Sequence, residues 1–168
     1  MKCPKLKIIL SVFLGMLVGL RILNAGLYPP KLIMSYVVPE DFSSKEVIAL
    51  KSKLSHLNLL AYAFISISPT GAASVETEEL PEFKQFASLQ SPEVHLKKLI
   101  SVGGATDEAA FFYAIEHREA FIKSVQALLQ KYQLDGIDLD FEINRSYQAQ
   151  EADLYVALLM HLRRSWSS

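Results

Sequence analysis

The sequence predicts an α/β fold built on a parallel sheet, and three observations carry that expectation. Apolar, β-prone runs alternate four times with segments of helical periodicity. Such alternation sets strands side by side and parallel, joined by right-handed crossovers. The longest helical stretch, Arg118 to Tyr132, has one apolar face that must pack on something flat. The last apolar run bears a row of carboxylates, with Glu142 at its C-terminal end. An open doubly wound sheet and part of a (β/α)8 barrel both satisfy the alternation. Catalytic groups at the C-terminal ends of strands are a habit of barrel enzymes.

The elements follow in order. Lys31 to Val38 is apolar and β-prone, and Pro39 ends it. Ser43 with Glu46 fits a capping box for a helix striped by Val47, Leu50 and Leu54. Leu57 to Ile67 is the second strand, closed by the turn residues Ser68, Pro69, Thr70 and Gly71. The polar, acidic stretch from Ala72 to Glu79 reads as a loop. Pro81 starts a helix with Phe83, Phe86 and Leu89 on one side. Leu99 to Val102 is the third strand, stopped by Gly103 and Gly104. Asp107 to Glu116 forms a short helix. The Arg118–Tyr132 helix follows, with Phe121, Val125, Leu128, Leu129 and Tyr132 on its inner face. Asp135 to Phe141 is the fourth strand. Glu151 to Arg164 is the last helix, striped by Leu154, Leu158, Leu159 and Leu162. No solenoid repeat, low-complexity tract or linker interrupts the series.

The first 25 residues have the pattern of an export signal. Lys2, Lys5 and Lys7 precede a nearly unbroken apolar run from Ile8 to Leu20, and Leu23-Asn24-Ala25 is a passable cleavage site. The run is short for a membrane span, so cleavage and a secreted or periplasmic location are expected, without stable membrane insertion afterwards. An uncleaved N-terminal anchor is the alternative. The signal holds four of the chain's 17 basic residues, leaving 13 against 18 acidic ones. That balance argues against nucleic acid as a partner, because phosphate binding needs a basic surface. The only cysteine, Cys3, lies in the signal, so an exported product rests on its hydrophobic core rather than on disulfides. His56, His95, His117 and His161 stand far apart with no metal-ligand spacing. The glycines form no dinucleotide or phosphate fingerprint. No metal and no cofactor is expected.

Asp135 to Glu142 is the most informative segment. Strand side chains alternate, so Ile137, Leu139 and Phe141 share one face while Asp138, Asp140 and Glu142 share the other. A solvated acidic strand is the bland alternative. In a buried parallel strand, charges so grouped must be paired, and such groups concentrate where pKa values are tuned for chemistry.

These residues resemble glycoside hydrolase family 18, the chitinases and endo-β-N-acetylglucosaminidases. Asp135, Asp138, Asp140 and Glu142 stand at the spacing of its acidic signature. Ser101-Val102-Gly103-Gly104 is similar to its second motif. Leu57 to Phe64 resembles its second strand, and Tyr36 falls where its first strand bears a tyrosine. The resemblance runs from about Leu32 to Trp166. It implies a (β/α)8 barrel of which about the first four βα units are present, so the chain is expected to be a truncated N-terminal half, residues 26–168 after the signal. Barrels take about 250 residues. The tyrosine and tryptophan that later strands supply to the site cannot be placed here. Ile143 also departs from the aromatic residue usual after the signature.

The resemblance also implies the chemistry. Family 18 is a substrate-assisted exception to two-carboxylate glycosidases. The expected reaction cleaves β-1,4 linkages at N-acetylglucosamine in a chitin-like oligo- or polysaccharide, with retention. Glu142 would be the general acid and then the base. Asp140 would orient the acetamido group, and Asp138 would share a proton with Asp140. Neighbours on one strand face lie about 6.6–7 Å apart, so like charges in a shielded site raise at least one pKa and titrate collectively. Tyr36 and Ser101 would point inward and hydrogen-bond Asp138. Taken alone they read as a core tyrosine and a strand serine. Phe64 is assigned to the barrel core, with lining of the sugar site as the alternative. Gly103 and Gly104 support the site, or merely form a turn. Asp135 reads as structural, and the Asn144-Arg145-Ser146 glycosylation triplet as chance. A non-catalytic chitin-binding lectin of the same fold and an inactive remnant are the competing functions. Lectin-like relatives usually lose the acid, and Glu142 is present. Half a barrel would leave strand edges open, so the chain alone is expected to show little activity and to associate or aggregate.

Overall fold

The computed structural model describes residues 31–43, 45–105, 108–142 and 148–166. The predicted signal lies outside them, as do Asp107, Ile143 and the Asn144–Ser146 triplet. Four parallel strands lie in the order β1 (Met34–Val37), β2 (Leu59–Ile67), β4 (Lys97–Gly104) and β5 (Gly136–Phe141). They are the four predicted strands, and helices return the chain between them. These are α1 (Glu46–Lys51), α2 (Leu80–Ser88), the pair α3 (Glu108–Glu116) and α4 (Arg118–Tyr132), and finally α5 (Ala149–Ser165). The predicted bounds of α4 are those observed.

Alternation gives the sheet two faces. Leu60, Tyr62, Ile100, Val102, Ile137 and Leu139 point to the helices and join Phe83, Phe86, Phe111, Phe121, Val125, Leu158 and Leu162 in one buried core. Aromatic rings fill its middle edge to face. Phe83 meets Tyr62 at 5.0 Å and Tyr132 at 4.9 Å between centroids, both nearly perpendicular. The Tyr62 hydroxyl donates to Glu79 at 3.3 Å. Burial first, then the Glu79 charge, push this phenol well above its ordinary pKa. Burying each large side chain contributes roughly 1.5–3 kcal/mol, so this face holds most of the stability. On the other face Leu59, Ala61 and Leu99 make a second, smaller cluster with Met34 and Tyr36.

Three local expectations are corrected. The Ser43–Glu46 capping box does not form. Pro39 starts a 3-10 turn (Pro39–Phe42) that buries Phe42, and α1 begins after Lys45 without a side-chain cap. Leu54 then sits in a second 3-10 turn (Leu54–His56), beyond the end of α1. The stretch read as loop holds the short strand β3 (Ala73–Ser74), antiparallel to β2, and a 3-10 turn (Thr77–Glu79). A long-range bond fixes β3, because the Ala73 N–H donates to Ser124 Oγ on α4 at 2.8 Å. Lastly, Gly103 and Gly104 do not stop the third predicted strand. They complete it, both at positive φ.

The N-terminal ends of the strands are in register. Asn58 N–H donates to Ile33 O, Lys97 N–H to Asn58 O, and Asp135 N–H to Lys98 O. Asp135 also accepts from the Lys98 N–H at 2.8 Å, the structural role expected of it.

Candidate active site

The carboxylate row lies on the face opposite the helices. Ile137 and Leu139 are in the helix-side core, and Phe141 packs edge-on against Phe111 at 5.2 Å. That parity turns Asp138, Asp140 and Glu142 the other way. Asp138 is 4% exposed. Ser101 stands opposite it in register on β4 and donates its hydroxyl to Asp138 Oδ2 at 2.7 Å. Tyr36 on β1 donates to the same oxygen at 3.0 Å. The structure therefore brings three predicted residues into one contact.

The Tyr36 bond reports on shape. A flat sheet would hold strands three places apart at about 14 Å. A tyrosine on β1 meets an aspartate on β5 because this face is concave. The intervening residues on β2 are small: Ala61 pairs with Tyr36 and Ala63 with Ser101. Two hydroxyl donors on one oxygen also offset the desolvation of a buried carboxylate.

Asp140 comes next along the face, half-buried and in register with Gly103. A Cβ on Gly103 would stand 2.3 Å from the Asp140 carbonyl oxygen, and its φ is +112°. Only glycine fits there, and its absence of a side chain lets β4 close on the backbone that carries Asp140. Glu142 follows β5 directly and is half-buried. Among the described residues no group of three potential ligands is arranged to hold a metal ion.

Phe64 lies outside the helix-side core of the sheet. Its side chain is 39% exposed. Ala63 pairs with Ser101 and Ile65 with Val102, so Phe64 is the extra residue of a bulge. The Ala63–Phe64 peptide is cis. The ring lies over Gly104, where a Cβ would come within 2.9 Å of it. Phe64 and Gly104 thus stand together at the C-terminal end of the sheet, toward which the carboxylate row runs. The composition gives no sign of the bulge, because Ala63, Phe64 and Ile65 are all apolar.

The sequence reading also missed Glu151. It is buried and accepts the Gln148 N–H at 2.8 Å, so α5 starts at Ala149 rather than at Glu151. A Gln-x-x-Glu pattern was its only signal, a weak form of the capping box.

Comparison with known proteins bears on the fold and the family. The chain is 33% identical over 92 residues to an endochitinase of Manduca sexta, covering 50% of this chain and 17% of the relative. The structure of the Ostrinia furnacalis Group IV chitinase overlays with a TM-score of 0.66 at 26% identity, covering 82% of this chain and 41% of the other. Human YKL-39, described as a pseudo-chitinase with retained chitooligosaccharide binding, shares the fold with a TM-score of 0.64 at 19% identity, covering 80% and 38%. The chain thus spans well under half of the proteins it matches, and its sheet corresponds to part of their barrel. The model of glycosyl hydrolases family 18 matches residues 32–167. This chain belongs to glycosyl hydrolases family 18.

Proposed function

We propose that this chain carries the acidic strand of a chitinase-type glycosidase that cleaves β-1,4 linkages at N-acetylglucosamine. The observation that carries the reading is Asp138, held by Tyr36 and Ser101 at the buried end of a row that opens toward Glu142. Asp138 is buried while Asp140 and Glu142 are half-buried, which supports a division of roles along the row. Asp138 is fixed and anchored. Asp140, the next group along, is the one to orient the substrate's acetamido group and face the positive charge that forms when its oxygen attacks the anomeric carbon. Glu142, at the mouth, protonates the leaving oxygen and then activates water. Phe64, exposed beside Gly104, offers a flat apolar surface to a sugar ring. Export or anchoring through residues 1–25 would put the enzyme with an external polysaccharide.

A binding-only role is the second reading, favoured by the shared fold with a pseudo-chitinase. Turnover separates the two. In a chimera, residues 32–166 replace the segment of the Ostrinia furnacalis chitinase that they overlay. The expected result is release of fluorophore from a chitooligosaccharide conjugate. A folded chimera that binds the conjugate without cleaving it would leave the binding role instead.

A further inference from the structure

The two ends of the sheet differ in charge. Around the C-terminal strand ends stand Glu40, Asp41, Glu76, Glu78 and Glu79. At the other end the strands begin beside one another, at Ile33, Asn58, Lys97 and Asp135. Helices in a parallel α/β unit run back against the strands, so α1, α4 and α5 finish at that same end. Lys31, Lys51, Lys53, Lys131 and Arg164 are exposed there, and Lys97 is half-exposed. Glu93 and Asp135 are acidic side chains among them. Cations in a helix's last turn complement its dipole, which accounts for Lys51, Lys131 and Arg164. It does not account for Lys31, Lys53 and Lys97, which lie outside the helices.

A second feature marks the same end. Leu32 and Ile33 are 61% and 52% exposed beside Lys31. Cations around protruding aliphatic side chains are the composition of a surface that sits on lipid headgroups. The chain itself supplies the reason to choose lipid over a soluble polyanion. The apolar run from Ile8 to Leu20 lies ten residues before Lys31. Fully extended, ten residues span at most about 36 Å. Any association of that run with a bilayer therefore keeps this end of the sheet within about 36 Å of the headgroups.

We propose that the N-terminal end of the sheet is a membrane-docking face for anionic phospholipid headgroups, engaged through Lys31, Lys51, Lys53, Lys97, Lys131 and Arg164. The carboxylate row runs to the opposite end, so docking would leave it turned away from the bilayer. The interaction does not depend on the glycosidase reading.

The test is partition of the full chain onto vesicles of phosphatidylcholine, with and without phosphatidylglycerol. The anionic vesicles should bind more tightly, and the preference should shrink as salt rises. Each lysine near an anionic surface is worth about fivefold in partition. Changing Lys31, Lys51 and Lys53 together to Gln should therefore lower binding to anionic vesicles by about 10²-fold and spare binding to neutral ones. A matched triple of Lys45→Gln, Lys84→Gln and Lys123→Gln, placed elsewhere on the surface, should keep the preference. Equal partition onto both vesicle types would overturn the proposal, as would equal loss in the two triple variants. Tight binding to an anionic polysaccharide without a vesicle preference would assign the face to a polymer and overturn it too.

Discussion

Replacing Glu142 by Gln should lower turnover in the chimera by at least about 10²-fold, the usual scale of general acid catalysis, while KM changes little. The side chain follows β5 at the open end of the row and is half-buried. It can therefore reach a glycosidic oxygen outside the sheet, as Asp138, tied to Tyr36 and Ser101 beneath, cannot. Glutamine keeps the shape and a hydrogen-bond donor but cannot give up a proton to the leaving group or take one from water. Loss confined to kcat marks an interaction made in the transition state. Near-normal turnover of the variant would remove Glu142 from the mechanism and move the acid elsewhere.

Replacing Gly103 by Ala should destabilise the fold by about 2–5 kcal/mol, combining backbone strain with overpacking. The glycine has φ +112°, and an added Cβ meets the Asp140 carbonyl oxygen at 2.3 Å and its carbon at 2.7 Å. The obstacle is backbone, which cannot swing aside as a side chain does. Relief requires β4 and β5 to part where Asp140 sits, so the substitution strikes the fold and the site together. Urea unfolding measures it. Gly136→Ala is the fitting contrast, because its new Cβ would meet only Leu99 Cδ2, at 3.2 Å, at the far end of the same strand pair. Equal midpoints for the two variants would contradict the close approach at Gly103.

Much of the fold was legible because it rests on periodicity. The four strands and the full extent of α4 follow from apolar runs and one helical stripe, and a stripe of Phe121, Val125, Leu128 and Leu129 has a single sensible packing partner. The acidic row was legible for the same reason, since a period of two leaves no choice about which face Asp138, Asp140 and Glu142 share. What stayed hidden depends on contacts between distant residues. β3 is two residues long and is held by Ser124. The bulge at Phe64 inserts one apolar residue among others and so leaves the pattern unchanged. Gly103 and Gly104 read as a stop because positive φ ordinarily ends a strand. Here it brings β4 against its neighbours. The failed Ser43–Glu46 cap has a similar cause: Pro39 starts a turn that buries Phe42 and uses that stretch of chain before α1 begins.

In the proposed mechanism the row works with the substrate's own acetamido group instead of a carboxylate nucleophile. The most direct measurement compares turnover by the chimera of a fluorogenic N-acetylglucosamine oligomer with that of its plain glucose counterpart, matched in length and linkage. Without the acetamido oxygen no internal nucleophile reaches the anomeric carbon, and Asp140 has nothing to orient. Cleavage of the N-acetylated substrate alone is the predicted result. Comparable rates on both would mean an ordinary two-carboxylate mechanism and would contradict the role given to Asp140.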